Sequence, residues 1–148
     1  MKLRRPRRPR DYRFADSAQQ LVGGFLLAGP FVVTEEVWTL ARNMHDLQAL
    51  VTVAIVFAIG YAALYKADTT RDADDEQEVA GIPIRFISLM IVTFGSVTTL
   101  ALLFSAPATF LEDVETTREL ARISFKAICV GAVFSVVGAA TADSIFSK

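Results

Sequence analysis

Four apolar runs dominate this 148-residue chain, at about residues 18–41, 47–65, 82–106 and 123–146. A hydrocarbon core about 30 Å thick takes roughly 20 residues of helix to cross, and each run is near or above that length. The runs are continuous rather than alternating in polarity, so they read as helices and not as barrel strands. A soluble domain of this size would show amphipathic stripes instead. A hydrophobic content of 53% and a mean hydropathy of +0.41 agree with the membrane class. The expected fold is all-α: a basic arm over 1–15, then a four-helix integral membrane domain over 16–148.

The formal net charge of −1 conceals a strong asymmetry. Lys2, Arg4, Arg5, Arg7, Arg8, Arg10 and Arg13 crowd the first 13 residues against the single acid Asp11. By the positive-inside rule the N-terminus lies in the cytoplasm, and four spans return the C-terminus to the same side. The expected location is the inner (cytoplasmic) membrane. The arm followed by an apolar run mimics a signal peptide, but the run is too long and no small-x-small cleavage site follows it. Prolines between the arginine pairs and the later spans oppose a twin-arginine export signal. The lone Cys129 lies within the fourth run, so it forms no intrachain disulfide and reads as a small packing residue.

Pro6 and Pro9 oppose regular helix in the arm, and its like charges repel. Arg4, Arg5, Arg7, Arg8 and Arg10 suit anionic lipid headgroups, at about 1 kcal/mol per basic residue near the surface. The same residues also serve simply to set topology. No aromatic platform or nucleic-acid-binding fold accompanies them, so no nucleic-acid partner is expected.

Within the first run, Asp16 or Ser17 can cap a helix, and Gly23, Gly24, Ala28 and Gly29 permit close helix contact. Pro30 invites a kink, and Trp38 fits an aromatic belt at the outer interface. The short connection 42–46 makes the first two spans antiparallel neighbours, with His45 solvated in the turn. Asp72, Asp74, Glu76 and Glu78 alternate like a calcium loop, but the glycine and terminal glutamate of such a loop are absent; a solvated charge run is the reading. Hydroxyls in the third span read as packing glue. In the fourth span Gly131, Ser135, Ala139 and Asp143 share a stripe, and Asp143 can reach water or an arginine such as Arg13 or Arg85. One histidine and one buried cysteine offer no catalytic constellation, so an enzyme is not expected.

Glu35 and Glu36 fall about two turns short of the end of the first run. An ionisable group near hydrocarbon is costly and is rarely kept without a partner. In a continuous first helix the pair sits toward the negative end of the dipole, which is unfavourable and calls for positive charge. Arg42 or Lys126 could supply it as an ion pair, or a bound cation could. Calcium wants several oxygens, more than one helix provides. A homo-oligomer with its first helices around one axis would make rings of Glu35 or Glu36. The face below Glu36 then lines a pore through Val32, Gly29, Phe25 and Leu21 toward Arg13. Two other readings stand beside this cation channel. One is a proton- or cation-coupled small transporter; the other is a non-transporting scaffold whose arm binds lipid or a partner.

The order of basic arm, Ser17, glycine-containing apolar helix, outer glutamate and three further spans resembles the Orai family of store-operated calcium channels. That likeness implies a first-helix pore with an outer glutamate ring. The stretch QQLVGGFLLAGPFVVTEEVW is similar to a family of small prokaryotic integral membrane proteins, and this second likeness implies no activity.

Overall fold

The computed structural model describes residues 12–67, 72 and 77–146. Its order is α1 (Phe14–Val32), α2 (Glu35–Asn43), α3 (Asp46–Tyr65), β1 (Glu78–Val79), β2 (Ile82–Pro83), α4 (Ile84–Leu103), α5 (Ala106–Phe110) and α6 (Thr117–Phe146). Three of the helices are long and apolar enough to cross a membrane, or up to four if the bent pair α1–α2 is one span. The arm residues Arg4, Arg5, Arg7, Arg8 and Arg10 lie outside the described residues, as does most of the acidic loop.

The 30-residue α6 is the central post, in contact with α1, α2, α3 and α4. At 1.5 Å per residue it is about 45 Å long, so it outreaches a bilayer core. Its small residues explain its place. A Cβ at Gly23 would collide with the backbone oxygen of Gly138, and one at Gly138 with that of Gly23. Helices α1 and α6 therefore touch backbone to backbone, which only glycine allows. By contrast α3 is peripheral: 22% of its most apolar stretch is buried, against 61% for α6. Its exposed Leu47, Leu50, Val51 and Ile55 form a face suited to lipid.

One apolar cluster joins Ala28, Val32, Trp38, Val97, Leu100, Ala101, Leu111 and Ile123 near the α2 end of the bundle. A second joins Val56, Leu64, Leu89, Met90, Val136 and Ala140 between α3, α4 and α6. The two-residue strands pair antiparallel, Glu78 with Pro83 and Val79 with Ile82. Ala80 and Gly81 both turn with positive φ, 53° and 80°, as a two-residue hairpin requires.

The first run is not one helix. Between Val32 and Glu35 the chain bends by 79°. Pro30 has no N–H to support the preceding turn. Thr34 takes an extended backbone and starts α2, while its hydroxyl donates to the Phe31 carbonyl at 2.8 Å. The buried Trp38 indole N–H donates to the Val32 carbonyl at 2.9 Å, so a carbonyl released by the break is satisfied. Trp38→Phe removes this donor and puts a smaller ring in a fully buried place. The expected loss is about 1 kcal/mol for the hydrogen bond with a cavity cost added to it, read as a lower unfolding midpoint in detergent.

Candidate functional site

The bend changes what Glu35 and Glu36 are. A continuous helix would put them near its C-terminal end; they occupy instead the first turn of α2, where the dipole favours acids. Both are exposed, and neither forms an ion pair among the described residues. The basic groups expected beside them are engaged elsewhere. Arg42 bonds Asp113 at 2.5 and 3.0 Å and the Phe110 carbonyl at 2.8 Å. Its guanidinium holds the Asp113 carboxyl below the usual range, chiefly through the hydrogen bond. Lys126 reaches the Met44 carbonyl at 2.5 Å and Asp46 at 3.1 Å, and Arg122 bonds Asp46 at 2.6 Å.

The pore face drawn from the sequence also separates. Val32 is fully buried within its own chain, Phe25 packs partly against the same cluster, Gly29 is half-buried, and Leu21 is exposed. The bend decouples Glu36 from this row, and the contacts of α1 with α4 and α6 turn part of the row inward. The exposed large side chains of α1 are Phe14, Leu21, Val22, Leu26 and Leu27, all apolar.

The polar groups of α1 point the other way, into the bundle. At the end where α1 and α4 begin and α6 finishes, Arg85 lies between two acids. Its Nη1 donates to Asp143 at 2.7 Å and its Nη2 to Asp16 at 3.2 Å. The side chains of Arg85, Asp16 and Asp143 are 4%, 9% and 0% exposed. Asp16 has a second duty: it accepts the Arg13 N–H at 2.9 Å and so caps α1. The Tyr12 ring lies 5.4 Å from the Arg85 guanidinium carbon, a cation–π distance. The Tyr12 hydroxyl also bonds Ser17 and Ser88.

One turn deeper, the fully buried Gln20 accepts from Ser88 at 2.7 Å and donates to the Arg85 carbonyl at 3.4 Å. Deeper still, Gly24 faces the hydroxyls of Ser96 and Ser135, and Ser135 donates to the Thr93 carbonyl at 3.1 Å. From Arg85 to Ser96 is about 16 Å along α4, roughly half a bilayer core. A polar column thus runs from one end of the bundle to its middle. It stops at the apolar cluster of Ala28, Val97 and Leu100.

Of this constellation, the sequence suggested Asp143 and offered Arg13 or Arg85 as its partner; the structure selects Arg85. Asp16 was legible only as a cap. The signal that could have found the rest is spacing: Asp16 and Gln20, Arg85 and Ser88, and Ser135, Ala139 and Asp143 recur at three or four on otherwise apolar helices. Among the described residues no group of three or more His, Cys, Asp or Glu side chains is placed to hold a metal ion. What the arrangement offers chemically is two carboxylates whose ionic partner is shared.

The chain matches no curated protein and no solved structure. Residues 4–145, nearly its whole length, match the family of integral membrane proteins described as DUF2391. With several spanning helices and a match of that extent, the chain belongs to this family of integral membrane proteins.

Proposed function

We propose that the protein is a proton- or cation-coupled transporter whose coupling groups are Asp16 and Asp143, held by Arg85. The observation that supports this reading is the burial of three ionisable side chains at one junction of α1, α4 and α6. Ionisable groups inside membrane bundles are costly and commonly mark ion or proton paths. A carboxylate that exchanges Arg85 for a proton or cation alters the attraction among three helices. Occupancy of the site is thereby linked to helix packing, as coupled transport requires. The basic arm orients this end toward the cytoplasm of the inner membrane, with both termini inside.

The second reading is the oligomeric cation channel, calcium included, with a ring of Glu35 and Glu36. The exposure of both acids favours it. Against it, α1 offers only apolar side chains for a lining, and such a surface dewets. The ring would also need a homo-oligomer to gather enough oxygens.

One experiment separates the readings: liposomes with an entrapped pH dye, under an imposed Na⁺, K⁺ or Ca²⁺ gradient. The expected result is cation-driven proton movement that the Asp16→Asn/Asp143→Asn variant loses and the Glu35→Gln/Glu36→Gln variant keeps. The reverse pattern replaces the transporter by the channel. No flux in any protein rejects both, in favour of a scaffold whose Arg4, Arg5, Arg7, Arg8 and Arg10 bind anionic lipid.

A further inference from the structure

Helix α6 divides into two parts. From Ala127 to Phe146 it carries 20 residues with Asp143 as their one charged side chain, a length that crosses a bilayer core. The turns before Ala127 therefore rise into the headgroup zone, at the end of the bundle opposite Arg85. They hold Arg118, Arg122 and Lys126 at intervals of four, on one face of the helix. Beside them stands Asp46, the first residue of α3, whose next turns present the exposed Leu47, Leu50, Val51 and Ile55 to lipid. An open cleft of about 850 Å³ lies between the two helices, within the ~300–1,000 Å³ usual for ligand sites. The three basic residues line it with Asp46 and Glu119, and so do Leu50 and Phe125. Leu50 and Phe125 are 63% and 49% exposed, so the cleft opens sideways toward acyl chains.

Its charges are not balanced. Asp46 serves two cations at once, Arg122 at 2.6 and 2.8 Å and Lys126 at 3.1 Å. Glu119 lies 3.7 Å from the remaining Arg122 nitrogen, the loose end of an ion pair. The Arg118 guanidinium has no hydrogen bond or ion pair among the described residues. Three positive charges thus line the cleft against two negative ones. Glu112 and Glu115 precede α6 and are not part of the lining.

We infer that this cleft binds an anionic glycerophospholipid, its phosphodiester on Arg118 and Arg122 and its acyl chains running past Leu50 and Phe125 along α3. A guanidinium fork matches a pair of phosphate oxygens, and Arg118 has its fork free. A zwitterionic lipid would bring a cation of its own to a cleft that already has one in excess. A soluble phosphate would use the arginines and leave the apolar walls unused. The bound lipid would bridge the peripheral α3 to the central α6. The site is separate from the basic arm, which precedes α1 at the other end of the bundle, and it does not depend on the transport reading.

Photolabelling in vesicles tests the site. The probe is a phosphatidylglycerol with a diazirine at the head of one acyl chain, a minor component in phosphatidylcholine, and labelled peptides are read by mass spectrometry. Label is expected on residues 46–50 and 118–126, displaced by unlabelled phosphatidylglycerol and insensitive to inorganic phosphate. Arg118→Gln should lower that label about fivefold, the worth of one basic residue at a membrane surface. Arg118→Lys should restore part of it. Because the Arg118 side chain holds no other group, both variants should keep the unfolding midpoint of the wild type in detergent. Displacement by inorganic phosphate would overturn the lipid in favour of a soluble anion. Equal labelling by a phosphatidylcholine probe, or label unchanged by Arg118→Gln, would overturn the site itself.

Discussion

Replacing Arg85 by leucine should cost more stability than any other single change at the polar junction, about 3–5 kcal/mol. The reason is less the loss of attraction than what remains. Asp143 is fully buried and Asp16 nearly so, and without the guanidinium each would face a medium that solvates a carboxylate poorly, a cost met in part by taking up a proton. Arg85→Lys should fall between wild type and leucine. The guanidinium reaches Asp143 with one nitrogen and Asp16 with the other, which a single ammonium cannot reproduce. Removing all the charge together should be far milder. The Arg85→Leu/Asp16→Asn/Asp143→Leu variant removes all three charges at once, and buried ion pairs exchanged for apolar residues often cost little. Unfolding midpoints in mixed detergent micelles would rank the four proteins. A triple variant no more stable than Arg85→Leu would mean that the cluster holds the bundle together by attraction. If the triple variant folds well and yet moves no protons, structure and coupling are separated in one protein.

Alanine at Gly23 or Gly138 should be nearly as damaging, though it adds only one methyl group. Each Cβ would strike the backbone of the opposite helix, and backbone cannot swing aside as a flexible side chain can. The helices α1 and α6 must separate, undoing contacts along their length. Overpacking costs typically about 1–3 kcal/mol, and these sites belong at or above the upper end. Gly95 supplies the control, because a Cβ there would meet nothing within 4 Å. Gly95→Ala should stabilise by roughly 0.5–1 kcal/mol, since glycine is a poor residue inside a helix. If all three variants lose stability equally, the loss reflects helix flexibility rather than the α1–α6 crossing. The two predictions meet at the candidate site: the same approach of α1 to α6 that needs Gly23 and Gly138 brings Asp16 within reach of the arginine that holds Asp143.

Membrane class and the number of long apolar segments were legible in the sequence, because burying 20 apolar residues in lipid depends on composition and length alone. The small residues of the first and fourth runs also announced close helix contact, although not with which partner. Glu35 and Glu36 show where such reading stops. Their electrostatic meaning depends on whether they end one helix or begin another, and that was decided by a turn at Val33 and Thr34. The turn in turn relies on the Trp38 indole meeting the Val32 carbonyl, a contact between residues that composition cannot orient. The ionic cluster is beyond the sequence for a related reason. Asp16, Arg85 and Asp143 are 58 to 127 residues apart along the chain, and only the packing of three helices makes them neighbours.

Apolar length alone committed this chain to lipid, since transfer out of water is summed residue by residue and needs no knowledge of neighbours. Which of its charges are enclosed, and by what, was decided by helix docking. Electrostatic energy depends on distance and surrounding medium, and neither exists until α1, α4 and α6 have come together. A shared guanidinium that fails to govern both aspartates in solution would remove the basis for every functional statement made of this junction.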